Sequence, residues 1–282
     1  MDRRVFWLVV SLFVASAGLL AIVLLRPAMR LAVLDGHGRL VSYPGKLTTP
    51  CPQQDPRTAV IFVAGQSNVA NYGERRQTTA YGDRVVAFFD GACTIAASPL
   101  PGADAHEGES LTPMADELIR SGRFDRVVLA PVAVGGTEIA RWVEGDLAPV
   151  LRQALDALQT RYKVTHAIWH QGENDALKGV SAADYRRSFD ELLGRWRAQG
   201  MTAPVFISVT TRCYPGWVAD NPVAQAQRAL PDPARGLHPG PDTDTLLQTS
   251  ELRGGACHHN ARGQARMAQL LAAALLAVNQ AP

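Results

Sequence analysis

Ala59-Val60-Ile61-Phe62-Val63-Ala64-Gly65-Gln66-Ser67-Asn68 is the stretch on which the reading of this chain turns. Its first residues are apolar and favour β structure, the run stops at a glycine, and a serine follows. A continuous apolar run of this length, cut off by glycine, reads as a strand buried on both faces. In open α/β sheets, ligands bind beyond the carboxyl ends of the strands. Ser67 is therefore a candidate nucleophile at the mouth of a sheet. An ordinary strand-to-helix turn, where Gly and Ser are common, accounts for the stretch as well, so the rest of the chain has to decide.

Working outward, similar runs recur and alternate with helical patterns. Strands are expected over residues 84–89, 126–134, 164–169 and 204–210. Between them, Thr112 can cap a helix that carries Pro113 in its first turn. Leu147, Val150, Leu151, Leu155 and Leu158 recur at helical spacing. Ser181 and Asp184 form a box-like cap ahead of an apolar face of Tyr185, Phe189, Leu192, Leu193 and Trp196. Further helices are expected over 221–230 and 261–278, while 236–243 fits no pattern. This alternation predicts βαβ units and a mainly parallel sheet covered on both faces, a three-layer α/β/α sandwich.

The chain has 282 residues, 47% hydrophobic and 19% charged, enough apolar content for a sizeable core. Net charge is +2 without a basic block, which removes the electrostatic case for nucleic acid. Residues 5–25 are a run of 21 almost wholly apolar residues behind Arg3 and Arg4. About 20 such residues span a bilayer as a helix, and no small-x-small cleavage site ends the run. The expectation is one uncleaved N-terminal transmembrane helix. Arg26 and Arg30 balance Arg3 and Arg4, so charge does not orient it. The chain then divides into an anchor (1–30), a linker with a small hairpin near Leu40-Val41-Ser42-Tyr43 (31–56), and one domain (57–282). Cys51, Cys93, Cys213 and Cys257 are an even number without a C-x-x-C pair, which fits two disulfides in an exported domain. Pairing Cys51 with Cys93 and Cys213 with Cys257 ties neighbouring loops. The expected location is membrane-anchored, with the domain outside the cytoplasm.

Three more segments carry polar residues suited to the same reaction: Val134-Gly135-Gly136-Thr137-Glu138-Ile139-Ala140-Arg141-Trp142, Trp169-His170-Gln171-Gly172-Glu173-Asn174-Asp175, and Cys257-His258-His259-Asn260-Ala261-Arg262-Gly263. With Gly65-Gln66-Ser67-Asn68 they resemble, in order, the four blocks of the SGNH hydrolases, and within them the sialate O-acetylesterase-like carbohydrate esterases. One block alone is weak; four in order, from Gly65 to Gly263, are specific. The resemblance implies a flavodoxin-like fold and a serine esterase that removes acetyl or other short acyl groups from carbohydrate hydroxyls, with no cofactor.

The chemistry explains the residue types. A serine hydroxyl is a poor nucleophile until a base takes its proton, and His258 can be that base and later protonate the leaving alcohol. The oxyanion needs fixed donors. The resemblance assigns these to the Ser67 N–H, the Gly136 N–H and the Asn174 amide, although Gln171 is an amide in the same loop. Gln66, Gln171 and Asp175 are expected to support substrate or loops. Cys257-His258-His259 is a poor zinc set, because consecutive residues point in different directions and zinc takes spaced ligands. One departure stands out. The family's aspartate, three residues before its histidine, is Gly255 here. Either another carboxylate orients His258, with Glu173, Asp175, Glu251, Asp242 and Asp244 as candidates and Glu173 favoured, or the site runs as a dyad. An envelope polysaccharide O-acetyltransferase, and a weakly active or inactive carbohydrate-binding relative, remain alternatives.

Overall fold

A computed structural model describes residues 31–278. Its strands are β1 (Val33–Leu34), β2 (Leu40–Ser42), β3 (Thr48–Thr49), β4 (Thr58–Gly65), β5 (Val85–Phe89), β6 (Ala92–Ile95), β7 (Arg126–Ala133), β8 (His166–His170), β9 (Val205–Val209) and β10 (Leu237–Asp242). Its helices are α1 (Leu111–Arg120), α2 (Ile139–Val143), α3 (Leu147–Gln159), α4 (Glu173–Lys178), α5 (Ala182–Ala198), α6 (Pro222–Ala229), α7 (Thr243–Leu246) and α8 (Ala261–Ala277).

The opening stretch becomes β4, every residue of which is buried. It lies inside an eight-stranded sheet of order β10-β9-β8-β4-β7-β5-β6-β3. Neighbours from β10 to β5 run parallel, and only the pairings of β6 with β5 and with β3 are antiparallel. Successive strand residues face opposite sides, so β4 feeds two cores. Val60, Phe62 and Ala64 pack with Trp142, Leu151, Leu155, Tyr185, Phe189 and Trp196 from α2, α3 and α5. Ala59, Ile61 and Val63 pack with Met114 and Leu118 of α1 and Met267 and Leu271 of α8. The result is the three-layer sandwich. Burying a side chain such as Phe62 is worth about 1.5–3 kcal/mol, so an inner strand apolar after Thr58 anchors both outer layers.

Local signals hold in part. Ser181 caps α5 by accepting from Asp184 N at 3.1 Å, and Asn221 caps α6 through Val223 N and Ala224 N. Thr112 does not cap α1. The helix begins two residues earlier, with Ser110 at the cap position, and the Glu109 carboxylate takes the Leu111 and Thr112 N–H groups instead. A carboxylate at a helix start also suits the dipole. Both disulfides form as the neighbouring-loop pairing expects, Cys51–Cys93 and Cys213–Cys257.

The expected transmembrane helix is corrected. Residues 5–25 lie outside the described residues, and among those described no helix is long and apolar enough to cross a membrane. Among the described residues no element supports the membrane as a partner or the anchored location outside the cytoplasm.

Gly65 closes β4 at φ +151°, and a Cβ there would fall on the His170 carbonyl oxygen of the neighbouring strand end. Backbone cannot yield as a side chain can. Gly65→Ala is expected to cost roughly 3 kcal/mol or more, read as a lower urea midpoint at unchanged slope. A midpoint equal to wild type counts against this account of the turn.

Candidate active site

Three adjacent strands, β7, β4 and β8, deliver their carboxyl ends side by side. Gly65 stands opposite Ala133 on one side and His170 on the other. The loop after β4 therefore starts between the Gly135-Gly136 loop and the Gln171-Gly172-Glu173 loop. Gln66 N donates to His170 O at 2.9 Å, and Ser67 opens a short 3-10 turn, Ser67–Val69. The Ser67 side chain is 4% exposed, and its hydroxyl has no hydrogen-bond partner among the described residues.

The fourth loop comes from far along the chain but is sewn to the segment that follows Ser67. Glu74 N donates to His259 O at 3.1 Å. Arg253 Nη1 donates to Tyr72 O at 2.8 Å. The His258 and Tyr72 rings meet at 4.8 Å between centroids, tilted by 36°. Across the loop, Cys257 is bonded to Cys213, and its N–H donates to Arg212 O. The His258 ring is half-buried and has no hydrogen-bond partner among the described residues.

Gln66, Gln171 and Asp175 form one buried network. Gln66 Oε1 accepts from Gln171 Nε2 and Gly172 N, each at 3.3 Å. Gln171 Nε2 also donates to Thr137 O at 2.7 Å and to Asp175. Asp175 accepts the Ile139 N–H that starts α2. Burial raises its carboxyl to about 6, against the opposing pull of those hydrogen bonds. The Gln171 amide is thus spent inside the protein. The Asn174 amide donates to Glu138 Oε1 at 3.2 Å and keeps its second N–H. The Gly135 N–H is taken by Asp104 Oδ2 at 2.9 Å. The N–H groups of Ser67 and Gly136 have no acceptor among the described residues.

Glu173 sits under the nucleophile turn rather than on His258. Its Oε1 accepts from Asn68 Nδ2 at 3.0 Å and Thr211 N at 3.2 Å, and lies 3.3 Å from His170 Nε2. That last contact is close but not aligned as a hydrogen bond, since His170 Nε2 has no aligned partner. Burial raises the Glu173 carboxyl, but His170, local backbone and Asn68 together hold it below the usual glutamate value. Among the described residues, no carboxylate hydrogen-bonds or ion-pairs with the His258 ring. Asp244 is spent on Arg212 N and Trp217, Asp242 on Arg228, and Glu251 on Gln248 N. The His258 pKa is lowered, first by burial and also by Arg253, while Glu173 and Glu107 pull it up.

Two residues at the site escaped the sequence reading. Asp104 lies in a loop rich in Pro, Gly and Ala without a pattern, and Tyr72 lies just past the serine block. His259 is 2% exposed, and burial together with His170 lowers it to about 3. Burial and Arg123 lower His166 to about 4. Both should make the protein acid-labile. As pH falls below about 6.5, the unfolded chain binds protons that these folded rings refuse, so stability present above that pH is lost down to about 4 and 3. Asp175 works in the opposite sense from about 6 downward and offsets part of the loss. Melting followed by circular dichroism should show Tm falling from pH 7 to pH 4, less steeply in His166→Gln. A flat profile contradicts the burial argument.

Among the described residues, no group of three or more His, Cys, Asp or Glu side chains is placed to hold a metal ion. A cavity of about 380 Å³ near β2 and the β5–β6 edge, lined by Tyr43, Lys46 and Phe89 among others, shares no residue with the four loops.

A parallel sheet with Gly-Gln-Ser-Asn, Gly-Gly, Gln-Gly-Glu-Asn and Cys-His-His-Asn loops gathered at its carboxyl ends defines an SGNH-type serine hydrolase. Residues 57–277 match the carbohydrate esterase, sialic acid-specific acetylesterase family. The chain belongs to that family and is a carboxylic ester hydrolase of the carbohydrate-ester class. Solved structures agree in fold. A protein from Arabidopsis thaliana superposes with TM-score 0.63 at 18% identity, over 79% of this chain and 99% of its own. A carbohydrate acetylesterase from Xanthomonas citri gives 0.51 at 19%, over 77% and 55%. NanS gives 0.52 at 15%, over 79% and 97%. No curated protein matches the chain.

Proposed function

We propose that the chain removes acetyl or other short acyl groups from carbohydrate hydroxyls through an acyl-enzyme on Ser67. His258 takes the Ser67 proton as the hydroxyl attacks the ester carbonyl, then gives it to the departing sugar oxygen. Water, activated by the same imidazole, releases the acid. The developing oxyanion faces the Ser67 and Gly136 N–H groups and the second N–H of Asn174. One such donor is worth roughly 3–4 kcal/mol in other acyl-transfer enzymes. Gln66, Gln171 and Asp175 hold the loops that present these donors.

The observation that carries this reading is the stitching of the His258 loop to residues 72–74, directly after the Ser67 turn. These contacts hold the His258 loop beside the segment that follows Ser67, although the two are far apart in sequence. Glu173 then contributes by charge, raising His258, and by holding Asn68 and Thr211. That no carboxylate among the described residues bonds the His258 ring favours low turnover, since loss of an orienting acid can cost about 10⁴.

The test is covalent. A fluorophosphonate probe should label the protein once, and peptide mapping should place the label on Ser67. Acetate should be released from O-acetylated sialic acid and from p-nitrophenyl acetate. A label on another serine, with turnover intact, overturns the assignment.

A further inference from the structure

We propose that Tyr72 and Asp104 form a positioning pair that holds the His258 imidazole where Gly255 leaves it without an orienting aspartate. This deepens the reading of Ser67 and His258 as the reacting pair and rests on it. An imidazole that must take a proton from one atom and deliver it to another needs a fixed plane. A hydrogen-bonded carboxylate is one way to fix it, and a ring packed against it is another.

The Tyr72 ring packs on His258 at 4.8 Å. Its phenol is not loose, because it donates to Asp104 Oδ2 at 2.8 Å. The same oxygen accepts the Gly135 N–H at 2.9 Å. Backbone bonds fix Asp104 in turn. Its N–H donates to Ala133 O at 3.0 Å, and its carbonyl accepts from Asn71 N at 3.1 Å. The pair thus joins the serine loop, the glycine loop and the histidine. It also gives Gly135 a reason. A Cβ there would fall on the Tyr72 hydroxyl, so only glycine lets the phenol reach Asp104.

Tyr72 stays a donor at every working pH. Burial and the Asp104 charge push its ionisation far above the usual tyrosine range. When His258 takes the serine proton, the imidazolium lies against an aromatic face, where a cation is favoured. The charged groups that act on this ring are Glu173 and Glu107, which favour its protonation, and Arg253, which opposes it; His259 beside it remains neutral.

Steady-state kinetics on p-nitrophenyl acetate test the pair. Tyr72→Phe keeps the ring and loses the pin. It should lower kcat roughly ten- to a hundredfold with KM little changed, and move the acid limb of kcat/KM up toward an ordinary histidine value as the imidazole gains solvent. Asp104→Asn keeps an acceptor for the phenol and should retain most of kcat. Asp104→Ala should fall as far as Tyr72→Phe, and the double variant no further. Asp104→Ala also stands in if Tyr72→Phe does not fold. Kinetics equal to wild type in folded Tyr72→Phe or Asp104→Ala overturn the pair. Fluorophosphonate labelling separates the two failures. A wild-type protein unlabelled at Ser67 sinks the reacting-pair reading, whereas labelling at Ser67 with unchanged variant kinetics sinks only the positioning pair.

Discussion

Ser67→Ala is expected to lower kcat/KM for p-nitrophenyl acetate by on the order of 10³- to 10⁶-fold, with Tm within a few degrees of wild type. The variant loses only one oxygen, which makes no hydrogen bond to the described protein, from a buried side chain whose Cβ stays in place, so stability should move little. What remains is the catalysis that oxyanion donors supply without a nucleophile, which elsewhere reaches 10³- to 10⁴-fold over water. The Ser67 N–H survives the substitution, so substrate and product analogues should still bind. Ser67→Cys makes the sharper contrast. It restores a nucleophile of different size and acidity and should become sensitive to thiol alkylation. Turnover in Ser67→Ala equal to wild type removes the nucleophile assignment and leaves the fold description untouched.

The parallel part of the sheet was legible because each of its inner strands is buried on both faces, which writes a continuous apolar run. Strands without that burden left no such mark. β3 is two threonines at the sheet edge, and β6 is only partly covered. β10 contains Pro239, Gly240 and Pro241, residues that a sheet tolerates at its edge but not in its middle. Its position beside β9 follows from packing, not from propensity. α4 was hidden for another reason. Its first turn, Glu173-Asn174-Asp175, is polar because two of those side chains are buried in hydrogen bonds rather than in apolar contact.

The four loops were legible for the opposite reason, since chemistry dictates residue types that packing does not. What the sequence could not carry was partnership. Glu173 was expected at the His258 ring, yet it accepts from Asn68 and Thr211 and reaches His258 only through its field. Tyr72 and Asp104 are 32 positions apart, and no pattern links them. A carboxylate's hydrogen bonds are settled by where loops end in space. Block spacing says only that the loops exist.

His258→Ala should cost as much turnover as Ser67→Ala, and the double variant no more, because a nucleophile and its base act as one unit. His259 cannot stand in. It is buried, its carbonyl is bound to Glu74 N, and its ring stays neutral down to about pH 3, so it offers neither access nor a useful basicity. The pH profile separates the two rings. A general base must be neutral, so kcat/KM should rise with pH through the His258 pKa and then level. Burial and Arg253 outweigh Glu173 and Glu107 there, which puts the midpoint of that limb below 6.5. Arg253→Ala removes a charge that opposes protonation and leaves Glu107 unpaired, so both effects move the limb upward. Glu173→Gln removes a charge that favours protonation and should move it downward, at some cost in stability from the disturbed Asn68 and Thr211 contacts. Opposite displacements from these two variants identify the half-buried ring between them as the base. A limb that ignores both charges assigns the proton to some other group.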